Sequence, residues 1–309
     1  MTPTLLTNIK LLAGVQEGNS PLRGAELRNL SSLADAWLLL EEGLVAGYGL
    51  MDTFDDPDDF DGTIINASDQ LVLPAWCDSH THLVFPASRE AEFVDKIRGV
   101  SYAEIAARGG GILNSAARLA EMSEMELLRS AWGRLQEIMQ LGTGAVEIKS
   151  GYGLTAAAEL KMLRVIKRLK ETSPIPIKAT FLGAHSYPVH YRDDHEAYIR
   201  QVIDDMLPAI ADEGLADYID VFCETGFFSA REMARICEAG KQYGLRPKTL
   251  ASRFGWLAIF SFIEIGPTFF SSSGLRFRII SVDSISIRIL IRRILNSLAL
   301  SGSRVLKAF

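Results

Sequence analysis

Cysteine is scarce. Cys77, Cys223 and Cys237 are the three in 309 residues, too few and too scattered for a disulfide framework or a cysteine-built zinc site. An excess of basic charge is also missing. The 32 Lys and Arg against 38 Asp and Glu leave a net charge of −6, which argues against nucleic acid as the main partner. Phe254 to Phe270 is nearly all apolar, but Glu264 interrupts it and it is short for a membrane span, so no membrane partner is expected. The opening residues show no basic stretch followed by an apolar core and a small-residue cleavage site, which makes the cytoplasm the expected setting. Histidine is sparse and one-sided: His80, His82, His185, His190 and His195, with none afterwards. With 48% hydrophobic and 23% charged residues, the chain is neither disordered, collagenous nor coiled coil, and its length allows one large domain or two ordinary ones.

The chain divides into three. Residues 1–70 are short apolar runs broken by turns, among them Ala36-Trp37-Leu38-Leu39-Leu40 and Leu44-Val45-Ala46 around Glu-Glu-Gly, a hairpin pattern. They are expected to form a small β unit. From Leu71-Val72-Leu73-Pro74 the rhythm changes. A helix is expected over 123–141, opened by Ser123 with Glu126 three residues on and stopped by Gly142. Leu128, Ala131, Leu135, Ile138 and Met139 share its apolar face. A strand at 145–148, a helix over 156–170, strands at 177–182 and 218–222 and a helix opened by Ser229 and Glu232 continue the alternation. Strand and helix alternating at this spacing predict parallel βα units over 71–250. His80 and His82, Glu147 and Lys149, His185 and Glu224 each fall at or just after a strand's C-terminal end, the face on which a (β/α) barrel builds its site. A dinucleotide-binding sheet would need a Gly-rich turn where Asp78-Ser79-His80-Thr81-His82 stands, so the barrel is the expected fold. Residues 251–309 differ again, with eight basic residues against Glu264 and Asp283.

His80-Thr81-His82 carries the strongest chemical signal. Alternate residues of a strand point the same way, so both imidazoles can reach one metal ion. Imidazole suits zinc or iron, and a coordination position left open lowers the pKa of bound water to about 7. The bland reading, a pair of partly exposed polar histidines, is outweighed by the strand-end setting. His190 and His195, among Tyr191, Arg192, Asp193 and Asp194, read as solvated loop residues. Lys149 could anchor a metal after carbamylation, but a pair with Glu147 or Glu224 is the preferred reading. Gly109-Gly110-Gly111 lacks the Lys-Ser or Lys-Thr that would make it a phosphate cradle, and reads as a loop near the pocket.

Leu73-Pro74 and Asp78-Ser79-His80-Thr81-His82-Leu83-Val84-Phe85 resemble the first-strand metal motif of the amidohydrolase superfamily. Ser88-Arg89-Glu90, Gly109-Gly110-Gly111-Ile112-Leu113, Glu147-Ile148-Lys149-Ser150-Gly151-Tyr152-Gly153-Leu154, Thr180-Phe181-Leu182-Gly183-Ala184-His185 and Glu224-Thr225-Gly226 narrow the resemblance to the imidazolonepropionase family, from about residue 65 to Lys248. The resemblance implies a metal-dependent-hydrolase (β/α) barrel, incomplete at its C-terminal end, with a small N-terminal β unit. It implies hydrolysis of the small molecule 4-imidazolone-5-propanoate to N-formimino-L-glutamate by a zinc- or iron-activated water, a step of histidine degradation. His80 and His82 match metal ligands, while Arg89, Tyr152 and His185 match substrate-binding positions. An arginine offers a carboxylate such as the substrate's propionate a two-pronged contact. Association into a homodimer is left open.

After Arg246-Pro247-Lys248 the pattern departs. The family's next metal-binding histidine falls at Leu250 and its acid/base carboxylate at Arg253, so no catalytic residue is assigned. Three readings follow: an imidazolone-opening enzyme, a catalytically inactive truncated or frame-shifted remnant of one with a divergent tail over 251–309, and a neighbouring amidohydrolase acting on a cyclic amide or amidine.

Overall fold

The structure is a computed structural model that describes residues 2–15, 24–101, 104, 110–248, 250–251 and 305–308, with Leu27 and the last two stretches described by backbone alone. Two sheets organise it. In the first, β1 (Thr4–Ala13) pairs antiparallel with β2 (Ser32–Glu41), and β2 with β3 (Leu44–Leu50). Glu42 and Gly43 both take positive φ, 49° and 76°, as the tight turn of a twisted hairpin requires. β4 (Thr63–Asn66) and β5 (Leu71–Pro74) lie one after the other along the far edge of β1, both parallel to it. Leu6, Ile9, Leu12, Ala36, Leu38, Ala67 and Val72 make its core. Later in the chain β12 (Val305–Ala308) pairs with β5.

Leu71–Pro74 therefore belongs to the first sheet, four residues beyond the boundary expected after residue 70. Its apolar run reads as the approach to a barrel strand, but its hydrogen bonds go to β1. Ala75 alone separates it from β6 (Trp76–Thr81), where the second sheet begins.

The second sheet is parallel throughout: β6, β7 (Thr143–Lys149), β8 (Ile177–Ala184), β9 (Tyr218–Cys223) and β10 (Arg246–Pro247), in chain order, with β11 (Leu250–Ala251) pairing further along β9. Helices connect the strands. α1 (Glu90–Ile97), α2 (Ile112–Glu121) and α3 (Glu124–Gln140) precede β7, and α4 (Ala156–Thr172) precedes β8. α5 (His195–Arg200) runs through a π-helical stretch (Gln201–Met206) into α6 (Leu207–Glu213), and α7 (Ala230–Gln242) leads to β10. Both expected capping boxes form: Ser123 with Glu126, and Ser229 with Glu232. Gly142 follows α3 at φ 93°, a conformation costly for any side-chain-bearing residue.

The larger core lies between this sheet and its helices. Leu127, Ala131 and Leu135 of α3 and Leu163, Ile166 and Leu169 of α4 pack with Val146, Ile148 and Phe181. Each large aliphatic side chain so buried contributes about 1.5–3 kcal/mol. The expected face of α3 is half right: Leu128, Ile138 and Met139 pack on the edge of this core, and Leu127 takes the centre. Among the described residues the sheet is open rather than a closed barrel. β6 has one partner, β7, and the residues between Ala251 and Val305 lie outside the described residues. The α/β class stands, while the barrel expected from the strand rhythm is not seen. No helix among the described residues is long and apolar enough to cross a membrane.

Candidate active site

Four strand ends meet at one place. His80 and His82, alternating at the end of β6, hold their ring centroids 5.6 Å apart. His82 stacks on His185, which follows β8, at 5.2 Å and 11°. Tyr152, in the turn after β7, lies 4.9 Å from His82 and 5.6 Å from His185, ring to ring. Phe222 of β9 meets His185 edge-on at 5.7 Å. Parallel strands put their C-terminal ends on one side, so residues far apart in the chain become neighbours. Arg89 sits at the start of α1 on the rim, 40% exposed and 3.7 Å from Glu92. Its charge acts on both Tyr152 and His185. His190 and His195 lie outside the group; His195 stacks on Tyr187 instead.

The turn after β7 is tightly determined. Gly151 has φ 111°, and a Cβ there would lie 2.9 Å from His185 Nδ1 and from Leu182 O. The Gly151 carbonyl meets His185 Nδ1 at 2.9 Å. Ser150 Oγ accepts from Leu182 N at 3.0 Å, joining the turn to β8.

Burial sets the electrostatics. Desolvation, followed by the neighbouring His185, pushes His82 down to about 3, and burial likewise lowers His80 and His185. Burial raises the Tyr152 hydroxyl, against the pull of Arg89. Beneath the rings lies an ion cluster. Lys149 Nζ, fully buried, donates to Glu147 Oε1 at 2.7 Å and to Asp220 Oδ2 at 2.9 Å. Lys248 also pairs with Glu147 and donates to Ser79 O at 2.6 Å. The expected partner Glu147 is there, but Asp220 takes the place proposed for Glu224, whose carboxylate accepts from Thr225 N. A signal for Asp220 was present: it is the one charge in the apolar run from Ile219 to Phe222.

No family model matches the chain. Curated relatives do. The chain is 50% identical over 285 residues to the imidazolonepropionase of Flavobacterium johnsoniae, covering 92% of this chain and 66% of that one. It is 53% identical over 252 residues to the imidazolonepropionase of Flavobacterium psychrophilum, covering 81% and 61%. The chain belongs to the imidazolonepropionase family. It spans somewhat under two thirds of the length of these imidazolonepropionase relatives. Because 92% of this chain lies within the first match, that match takes in more than the stretch up to Lys248, and the reading as a remnant is not favoured. Among solved structures, 5-methylcytosine deaminase from Klebsiella pneumoniae superposes with TM-score 0.51 and 17% identity, covering 79% of this chain and 50% of that one. Guanine deaminase from E. coli gives 0.51 and 11%, covering 81% and 53%. At such identities these two show a shared fold.

Whether the metal that the sequence resemblance implies fits these residues is tested by His82. Among the described residues its Nδ1 is buried with no hydrogen-bond partner, a polar atom that a bound group could satisfy. With His80 it offers two imidazoles on one strand face. Among the described residues no group of three or more His, Cys, Asp or Glu side chains is arranged to hold a metal ion. At the expected third-ligand position, Leu250 lies in β11 opposite Phe222, and Arg253 is outside the described residues.

Proposed function

We propose that this chain carries out the imidazolonepropionase reaction, opening the ring of 4-imidazolone-5-propanoate with water to give N-formimino-L-glutamate. Water adds to the ring's amide carbon, the carbon–nitrogen bond breaks, and the leaving nitrogen takes up a proton. The observation that carries this reading is the convergence of Tyr152, His82 and His185, with Arg89 at the rim, in a chain 50% identical over 285 residues to one imidazolonepropionase.

His80 and His82 would hold the metal, zinc or iron. Bound there, such an ion supplies a water acidified to a pKa of about 7. The chain's other residues do the recognition. Arg89 meets both propionate oxygens, while Tyr152 and His185 contact the polar edges of the ring. Lys149, Glu147 and Asp220 hold the strand ends beneath them. The deaminase likeness extends to the fold alone and supports no deaminase reading. The setting that fits this chemistry is the cytoplasm, with a small molecule as the partner and a (β/α) barrel as the complete fold.

The test is turnover of 4-imidazolone-5-propanoate by the purified chain, read from loss of the substrate's ultraviolet absorbance and from release of N-formimino-L-glutamate. Arg89→Lys keeps the charge and loses the fork, so KM should rise about tenfold with a smaller fall in kcat. An unchanged KM would remove Arg89 from the carboxylate. His80→Ala and His82→Ala should each reduce bound metal measured by elemental analysis, independently of turnover.

A further inference from the structure

Glu159 is a fully buried carboxylate on the first turn of α4. A charge so placed must be met by hydrogen bonds or an opposite charge. Among the described residues no ion pair reaches it; the Ser150 hydroxyl and three backbone amides do so instead. Oε2 accepts from Gly151 N at 2.9 Å; Oε1 accepts from Gly153 N at 2.6 Å and from Leu154 N at 3.1 Å. These three amides flank Tyr152 on both sides. Each donor sits at a constrained position: Gly151 at φ 111°, Leu154 at φ 55°, and Gly153 where a Cβ would come within 2.4 Å of the Glu159 backbone nitrogen. The turn cannot shift without losing the carboxylate, and its Gly151 carbonyl is the group that meets His185 Nδ1.

We propose that Glu159 is the positioning residue of the site: by gathering the amides of Gly151, Gly153 and Leu154 it sets the Tyr152 ring and, through the Gly151 carbonyl, commits His185 Nδ1 to the backbone and leaves Nε2 for the substrate ring. The proposal deepens the function proposed above and rests on it for the substrate. The two oxygens of Glu159 are both used, so a glutamine, with one acceptor oxygen, can serve only part of the turn. An aspartate, one methylene shorter, cannot reach all three amides.

The experiment compares Glu159→Gln with Leu163→Ala in the full chain. Leu163 is equally buried on the same helix and has no contact with the turn's amides among the hydrogen bonds above. Amide hydrogen exchange and steady-state kinetics are measured on both. Glu159→Gln should speed exchange at Gly151, Gly153 and Leu154 by at least about tenfold relative to the rest of the sheet. It should also raise KM for 4-imidazolone-5-propanoate by about tenfold. Leu163→Ala should lower the melting temperature while leaving those amides and KM as in the wild type, and Glu159→Asp should not restore them. Unchanged exchange at the three amides in Glu159→Gln, or the same changes in Leu163→Ala, would overturn the proposal. If the wild type does not turn the substrate over, the proposed function fails, and the exchange comparison still decides the role of Glu159. If Glu159→Gln does not fold, the wild type decides: three protected amides and a hydrogen-bonded His185 Nδ1 proton in its spectrum support the proposal, and their absence refutes it.

Discussion

The two sheets bury different chemistry. The first closes over leucine, isoleucine, valine and alanine, and among the described residues Thr7 and Gln70 are its buried polar groups. The second buries Glu147, Lys149, Ser150, Glu159, Thr180 and Asp220 among its apolar core. An apolar sheet is stabilised by area removed from water. A sheet carrying buried charges gives up some of that gain, because each charge must be desolvated before a partner offsets the loss. What it obtains is fixed direction: Glu147, Lys149, Thr180 and Asp220 bond to one another across three strands, and Ser150 and Glu159 tie down the turn after β7. The contrast separates a part built for stability from a part built for geometry, and it can be broken by measurement.

The largest effect should come from the ion cluster. Lys149→Met leaves Glu147 and Asp220 buried with one cation fewer between them, and should cost about 3–5 kcal/mol in urea unfolding. A loss under about 1 kcal/mol would mean that the charges are not desolvated and that the two sheets differ less than their burial implies.

Apolar truncation should be felt in both sheets, unequally. Leu163→Ala, in the large core, should cost about 2–5 kcal/mol, and Ile9→Ala, in the small cluster of the first sheet, should fall in the lower half of that range. A small cluster collapses around a deletion more easily than a large one. Should Ile9→Ala split urea unfolding into two steps while Leu163→Ala shifts a single step, the sheets are separate cooperative units. Caps come next. Ser229→Ala removes the acceptor for Glu232 N and half of a capping box, for a loss of about 1 kcal/mol in the melt.

How much of this was legible in the sequence follows range. Contacts within a few residues could be read directly: both capping boxes, the Glu-Gly hairpin turn, and the two histidines spaced by one on a strand. The gathering of His82, Tyr152 and His185 followed from the strand rhythm together with the family motifs. What could not be read depends on partners far along the chain. Asp220 lies 71 residues from the lysine it meets. Glu159 looks like an ordinary first-turn glutamate, and nothing local says that its helix packs it against Gly151 and Gly153. Leu71–Pro74 reads as the approach to a barrel strand yet pairs with β1, because an apolar run does not show which neighbour pairs with it.

The smallest expected effect lies at the entry to β9, where Asp217 ties strand and helix together. Its carboxylate accepts from Ala179 N at 2.9 Å and pairs with Lys170 and Lys178. Burial alone would raise this group, but the Ala179 amide and Lys170 overcome it and hold the carboxyl below its ordinary value. A carboxyl that is more acidic folded than unfolded contributes stability above the unfolded value, near 3.9, and loses it as the pH falls through the lower, folded value. Asp217→Asn should therefore cost about 0.5 kcal/mol at neutral pH. The difference between the two proteins' urea midpoints should then shrink as the pH is taken below about 4, where the wild type gives up the charged form. The asparagine side-chain oxygen can still accept from Ala179 N, so a difference that stays constant through the acid range would assign the effect to packing rather than to charge. In that event the carboxylate at Asp217 would be no more than another hydrogen-bond acceptor, and the second sheet would owe its rigidity to the Lys149 cluster and the Glu159 turn alone.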